Sequence, residues 1–250
     1  MIKKVVGFLI AVPLLTACHN QNQTVELYVP TAASITDAME QLIDRYTEDN
    51  ETITITPTYS SSGNLKDQIK NGAPADIFLS AAMSWMIELE EEGFLNEYTP
   101  LLRNELVMIT NLENTHNIES SSDLMNDDIE GISIGDPETV PAGEYAKQAL
   151  TLADLYDDIE DRLIFANDVR GVLTYVATGN VDAGFVYQTD AIASTNVTII
   201  EQMQVNDPVL YPIGLLTDTE HPEEAKAFYD WLRGDEAREI FKSNGFEFES

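Results

Sequence analysis

Four short stretches place neutral hydrogen-bond donors where a helix is predicted to begin, at residues 31–37, 60–65, 140–143 and 168–171. The first N–H groups of a helix have no partner inside the helix, and they carry a partial positive charge. Several helix starts aimed at one point can therefore bind an anion without lysine or arginine side chains. Each stretch taken alone is more typical of ordinary capping, as in the capping-box spacing of Ser34 and Asp37.

The spacing of apolar residues predicts the elements that would position these stretches. Strands at 25–29, 52–59 and 76–80 alternate with helices at 35–48, 63–71 and 83–92. This order is typical of a parallel sheet with helices on both faces, and thus of an α/β fold. A second unit follows, with strands at 106–110, 131–135 and 182–187, helices at 143–153 and 171–178, and a polar loop at 111–128. A further strand at 211–217 and a helix at 222–241 come after it.

The composition excludes several classes of function. The 250 residues can form two lobes, and 44 acidic against 13 basic residues give a net charge of −31. This charge argues against binding to nucleic acid and against docking of the folded surface on anionic lipid. Cys18 is the single cysteine, and three histidines are scattered in the chain, so neither a disulfide framework nor a Cys or His metal cluster is expected.

The first 17 residues have the features of a secretory leader. Two lysines precede an apolar stretch at 5–15 that is too short to span a bilayer. The stretch ends in Leu-Thr-Ala-Cys18, which resembles a bacterial lipobox. We therefore expect cleavage before Cys18, lipid on its sulfur, a tether at 18–24 and no transmembrane helix in the mature chain. An ordinary secretory signal with a chance cysteine is the alternative.

Four motifs together resemble the molybdate-binding proteins of bacterial ABC importers, which have the type II periplasmic-binding fold. The resemblance runs from about Val25 to Phe246. The motifs are Ala-Ala-Ser at 32–34, Ser-Ser-Gly at 61–63 with Gly-Ala-Pro-Ala-Asp-Ile-Phe-Leu-Ser at 72–80, Gly-Asp-Pro-Glu-Thr-Val-Pro-Ala-Gly at 135–143 with Tyr-Ala-Lys at 145–147, and Asp-Val-Arg-Gly at 168–171 with Asp-Ala-Gly-Phe-Val-Tyr at 182–187.

The resemblance implies an arrangement in two lobes. The first lobe would comprise residues 25–105 and 216–250, and the second would comprise 106–215. Each lobe would be a mixed, mostly parallel sheet flanked by helices. Two chain crossings, near 105–110 and 211–216, would form a hinge.

The resemblance also implies a binding site, residue by residue. Ser34 and Ser62 would donate through their hydroxyl and backbone N–H groups, Ala142 and Val169 through backbone N–H groups, and Tyr187 through its hydroxyl. These residues would contact a molybdate ion only through its oxygen atoms. The first four residues also lie in the predicted helix-start stretches, independently of the resemblance, whereas Tyr187 does not.

The implied function is capture of molybdate, and of tungstate, at the outer face of the cell membrane for an ABC permease. The protein would be a monomer without enzymatic activity or cofactor. Arg170 is expected to pair with a nearby acidic side chain. Replacing Ser62 by alanine is expected to weaken molybdate binding while leaving the stability of the free protein nearly unchanged.

Other functions stay open from the sequence alone. The ligand could be a different tetrahedral oxyanion such as sulfate, or tungstate only. A serine hydrolase is less favoured, because the sequence has no Gly-x-Ser-x-Gly elbow. A binder of cations or polyamines would suit the negative charge, but it needs carboxylates at the four turns, where Asp168 is the exception.

Overall fold

The computed structural model describes residues 24–249, so the predicted leader, Cys18 and most of the tether lie outside the described residues. Eleven strands are present in this part of the chain. They are β1 (Val25–Ala32), β2 (Ile53–Ser60), β3 (Ile77–Leu79), β4 (Leu95–Asn104), β5 (Leu106–Asn111), β6 (Ile132–Gly135), β7 (Leu163–Ala166), β8 (Ala183–Tyr187), β9 (Val197–Gln202), β10 (Val209–Leu216) and β11 (Glu247–Phe248).

Nine α-helices flank the strands in the described chain. They are α1 (Thr36–Asp49), α2 (Ser62–Lys70), α3 (Met83–Glu91), α4 (Pro141–Leu152), α5 (Tyr156–Ile159), α6 (Val169–Ala177), α7 (Gln188–Ala193), α8 (Pro222–Leu232) and α9 (Asp235–Ser243). None of the helices between residues 24 and 249 is long and apolar enough to cross a bilayer.

The first sheet has the strand order β11-β4-β10-β3-β1-β2. Strands β1, β2 and β3 are mutually parallel, and β10 runs antiparallel to both β3 and β4. Successive side chains of β3 point to opposite faces. Phe78 packs in a cluster with α2 and α3, whereas Ile77 and Leu79 belong to the cluster that contains α1, α8 and α9. Helices therefore cover both faces of this sheet, as the alternation of elements predicts.

The second sheet has the order β7-β6-β8-β5-β9. Strands β6, β7 and β8 are parallel, and β5 is antiparallel to both of its neighbours. Residues of α4 and α5 pack on Ile132 and Ile134 at one face, while Val172 and Val176 of α6 belong to the other cluster. Both sheets are mixed, as expected, and four strands of each share one direction. Three of the five neighbouring pairs in the first sheet and two of the four in the second are nevertheless antiparallel.

The second boundary between the lobes differs from the predicted one. The chain passes from the first sheet to the second at 104–106 and returns between β9 and β10, at 203–208. The whole of β10 pairs with β3 and β4, so residues 209–215, which we expected in the second lobe, belong to the first sheet. Apolar alternation identifies a strand but not the sheet that it joins.

The predicted C-terminal helix at 222–241 is also corrected. It is two helices, because the N–H groups of Arg233 and Gly234 bond back to the carbonyls of Asp230 and Trp231. These bonds to the carbonyl three residues earlier are typical of a 3-10 turn, and they tighten the last turn of α8, where the helix ends. Strands β4, β7, β9 and β11 and helix α7 were not predicted. Their sequences are short or lack clear alternation.

Candidate functional site

The carboxyl ends of three parallel strands from each sheet meet at one place. In the first sheet these ends are those of β1, β2 and β3, and in the second they are those of β6, β7 and β8. Ligands of open α/β sheets bind at this end of the strands. One small cavity lies there, and it is lined by residues of both lobes, including all five predicted site residues: Ser34, Ser62, Ala142, Val169 and Tyr187.

The cleft between the lobes is closed in this structure. All five site residues are less than 5% exposed. A single apolar cluster runs from Ile35 and Ala81 of the first lobe to Ala142 and Val169 of the second. The structure therefore brings the predicted residues together, and their binding of an oxyanion stays a prediction.

Ser34 lies in a short 3-10 turn, Ala33–Ile35, between β1 and α1. Its Oγ is 3.0 Å from the hydroxyl oxygen of Tyr211. The predicted capping box is wrong, because Ile35 occupies the N-cap position of α1 and no side chain caps it. The 3-10 turn moves Ser34 away from the helix start. Its hydroxyl is thereby available to the cavity rather than to the backbone.

Ser62 is the first residue of α2, and its Oγ accepts the backbone N–H of Ala81 at 2.9 Å. A hydroxyl that accepts a bond still has its own proton to donate. The N–H of the next residue, Gly63, donates to the carbonyl of Thr139 in the second lobe at 3.0 Å. This position therefore contacts the opposite lobe directly.

The second lobe contributes the starts of two helices. Pro141 is the first residue of α4, which places the N–H of Ala142 in the unpaired first turn. Val169 is the first residue of α6, two residues earlier than the predicted start at Gly171. Asp168 caps this helix, with its Oδ1 accepting the N–H of Gly171 at 2.9 Å. One oxygen of this carboxylate is therefore used in capping, and Asp168 also lines the cavity.

Tyr187 ends β8 and is fully enclosed between the lobes, with 1% of its surface exposed. Its hydroxyl is 3.5 Å from the carbonyl oxygen of Ala81, a long contact that a stronger acceptor can replace. Burial raises the pKa of the Tyr187 hydroxyl well above its ordinary value. The hydroxyl therefore keeps its proton and can act as a donor at neutral pH.

Arg170 pairs with acidic side chains, as expected. Its Nη2 lies 2.6 Å from a carboxylate oxygen of Asp37 in the first lobe. Its Nε lies 3.2 Å from Oδ1 of Asp190, which is fully buried in the second lobe. The angles of this second contact do not form a hydrogen bond, so it is an electrostatic contact. Burial raises the pKa of Asp190 to about 7, against the opposing effect of the Arg170 charge. Arg170 thus joins the two lobes beside the cavity.

Three residues of the site region were not selected from the sequence. Tyr211 contacts Ser34, Ala81 contacts Ser62, and Ser61 lines the cavity with a buried hydroxyl that has no partner in residues 24–249. Ser61 lies in the Ser-Ser-Gly motif at 61–63, but nothing in the sequence distinguishes it from the neighbouring serines. Tyr211 and Ala81 lie in apolar stretches that give no functional signal.

A larger cavity, of about 620 Å³, lies elsewhere on the first lobe. Its lining includes Asp76, whose two carboxylate oxygens accept the N–H of Tyr28 and the hydroxyl of Thr219. It shares no residue with the small cavity. We assign the candidate site to the small cavity, because the free helix starts of both lobes converge there.

The chain folds into two mixed sheets that are joined by two crossings, with a small cavity between them that is lined by residues of both lobes. Over residues 27–247 the sequence matches the bacterial extracellular solute-binding proteins, and the chain belongs to this family. The relatives are binding proteins, which agrees with the expectation that the chain is not an enzyme.

The chain is similar to several individual proteins. It is 41% identical to YvgL of Bacillus subtilis, provisionally named an ABC transporter substrate-binding lipoprotein, over 98% of this chain and 97% of that protein. It is 34% identical to the molybdate-binding protein ModA of Haemophilus influenzae, over 86% and 87% of the two chains. It is 33% identical to the substrate-binding domain of a provisionally named molybdenum ABC transporter from Clostridium difficile, with a TM-score of 0.68, over 90% of this chain and all of that one.

Proposed function

We propose that this protein captures molybdate, and also tungstate, outside the cell and delivers the anion to an ABC permease. The observation that supports the proposal is the lining of the small cavity, which combines Ser34 and Ser62 of the first lobe with residues at two helix starts of the second and contains no lysine or arginine. Uncharged donors of this kind are sufficient to bind an anion. The similarity to ModA proteins supports molybdate as the ligand.

Binding follows from closure of the cleft. The hydroxyls of Ser34 and Ser62 lie on one lobe, and the donors of Ala142, Val169 and Tyr187 lie on the other, so a complete site exists only when the lobes meet. The anion would therefore shift the population toward the closed form, with the hinge at the crossings 104–106 and 203–208. Each charge-assisted hydrogen bond contributes roughly 1.5–3 kcal/mol.

The same geometry favours large, fully ionised tetrahedral anions. An anion that is too small cannot reach donors on both lobes, and each buried donor left unpaired costs about 1–3 kcal/mol. A hydrogen phosphate ion carries a proton of its own. This proton is a donor that would meet only donors in the proposed site. Molybdate and tungstate should therefore bind more tightly than sulfate and phosphate, and this reasoning does not separate the first two.

Thermal melting of the purified protein with molybdate, tungstate, sulfate and phosphate tests the proposal. A ligand that binds only the folded form raises the melting temperature. We expect large shifts with the first two anions and small shifts with the others. Equal shifts with all four anions, or a shift with sulfate alone, would contradict it.

We also propose that the chain is anchored to the outer face of the cell membrane through lipid on Cys18. The Leu-Thr-Ala-Cys motif and the provisional lipoprotein name of the B. subtilis relative support this. The protein would act as a monomer. Mass spectrometry of membrane-extracted protein should give an N-terminal diacylglyceryl cysteine, and Cys18→Ser should release the chain from the membrane fraction.

A further inference from the structure

The hydroxyl of Ser34 lies at the end of a chain of hydrogen bonds that begins at a crossing between the lobes. The Oδ1 of Asn104 accepts the N–H of Glu105 at 2.9 Å, which assigns the amide nitrogen as the donor. That nitrogen lies 2.9 Å from Oγ1 of Thr189 and 3.3 Å from the hydroxyl oxygen of Tyr211. An amide carries two hydrogens, so both bonds can form together.

The bond from Asn104 favours one direction for the bond between Tyr211 and Ser34. Because the Tyr211 oxygen accepts an N–H, its own proton is free to donate to Ser34 Oγ at 3.0 Å. The Ser34 oxygen then accepts a bond, and the Ser34 proton is free for a further acceptor in the cavity. In this series of hydrogen bonds, Asn104 donates to Tyr211, Tyr211 donates to Ser34, and Ser34 can donate to a ligand in the cavity.

Packing holds the middle of this chain in place. The ring of Tyr211 is fully buried, with edge contacts to Tyr187 at 5.4 Å and to Phe246 at 5.5 Å between ring centroids. Burial also raises the pKa of the Tyr211 hydroxyl well above its ordinary value, so it stays protonated. A fixed, protonated phenol is a reliable donor to its neighbour.

We infer that Tyr211, supported by Asn104, is a positioning residue that holds the Ser34 hydroxyl as a donor to the bound oxyanion. The inference rests on the proposed function and deepens it. An isolated serine hydroxyl rotates among several directions, and fixing it before binding reduces the entropy lost on binding. Hydrogen bonds in a chain also polarise one another, which strengthens the last donor.

Isothermal titration with molybdate in a double-mutant cycle tests this inference. We expect Ser34→Ala to weaken binding at least about tenfold and Tyr211→Phe to weaken it about three- to tenfold. In the Ser34→Ala background, Tyr211→Phe should change the affinity by less than about twofold, because the group that it positions is absent. Asn104→Ala should have a smaller effect that is likewise absent from that background.

Tyr229→Phe is the matched control, since Tyr229 is a buried tyrosine of the first lobe outside the cavity. It should bind molybdate as the wild type does, and melting temperatures verify that every variant is folded. If Tyr211→Phe binds as the wild type does, or if its effect persists without the Ser34 hydroxyl, the inference is wrong while the proposed function stands. If the wild type binds none of the four oxyanions, the proposed function fails and the inference fails with it.

Discussion

The two halves of the candidate site use different chemistry. The half on the first lobe presents side-chain hydroxyls, those of Ser34 and Ser62, whereas the half on the second lobe presents the backbone at the starts of α4 and α6. Backbone N–H groups are directed by the helix itself. Hydroxyls rotate, and in this structure each contacts a partner, Tyr211 in one case and the N–H of Ala81 in the other.

This difference predicts which substitutions in each half should weaken binding of the anion. The first half should respond to removal of a side-chain oxygen. The second half, apart from its Tyr187 hydroxyl, should tolerate side-chain changes but not loss of an N–H group. Closure joins the halves, so a change that holds the lobes apart should have the largest effect of all.

Gly63→Ala should weaken molybdate binding on the order of 100-fold, because several donors are lost together. A Cβ atom at this position would lie 2.6 Å from the carbonyl oxygen of Thr139 across the cleft, closer than real contacts allow. Titration calorimetry measures the affinity, and small-angle scattering should give an open shape even with molybdate present. Asn64→Ala, in the next position but outside the cavity lining, is the control. Normal closure of the Gly63 variant would contradict the interlobe contact.

Val169→Pro should weaken molybdate binding about 10- to 100-fold, by removing one donor to the anion. Proline is tolerated at the first position of a helix, and the preceding Asp168 has the extended backbone that proline requires. Val169→Ala keeps the N–H group, so it should bind within about twofold of the wild type while losing some stability. The two variants are compared by calorimetry. Similar affinities in both would mean that the second half does not act through its backbone.

Ser62→Ala should weaken molybdate binding about tenfold and also lower the free energy of unfolding by roughly 1–3 kcal/mol. The sequence predicts little loss of stability, and the structure gives the reason to revise this. The N–H of Ala81 bonds to Ser62 Oγ in a buried position and would be left unpaired. Urea unfolding of the free protein measures the change. An unaltered unfolding free energy would show that the Ala81 bond contributes nothing.

The candidate site contains residues that the sequence predicts and residues that it does not. Helix starts and turn residues are local features, so Ser34, Ser62, Ala142 and Val169 could be selected from the sequence, and the structure places them at one cavity. Tyr187 needed the family resemblance, because a tyrosine at the end of an apolar strand has no local signal.

Contacts between distant segments could not be predicted. The bonds from Tyr211 to Ser34 and from Gly63 to Thr139 join residues far apart in sequence, and they depend on sheet order and lobe closure. The placement of β10 in the first sheet depends on the same long-range pairing.

Tyr187→Phe should weaken molybdate binding about fivefold, the effect of removing the one side-chain donor of the second half. The loss is smaller than for Ser62, because the wild-type hydroxyl must first give up its contact with the Ala81 carbonyl. Since burial raises the pKa of the Tyr187 hydroxyl, the loss of affinity caused by Tyr187→Phe should be the same at pH 7 and pH 9. Calorimetry at both values measures this. An affinity that falls over this range in the wild type but not in Tyr187→Phe would contradict a protonated donor.

Asp37→Asn should have the smallest effect, a loss of about twofold in molybdate affinity, because a partly exposed ion pair contributes about 0–1 kcal/mol. The change removes the interlobe contact with Arg170 and leaves the contact of Arg170 with buried Asp190 in place. Added salt should reduce the difference from the wild type, since salt screens an exposed pair. Asp44→Asn, another acidic position of α1, is the control. Asp37→Asn with a large, salt-independent loss would mean that the ion pair, rather than the donors of the two halves, dominates closure.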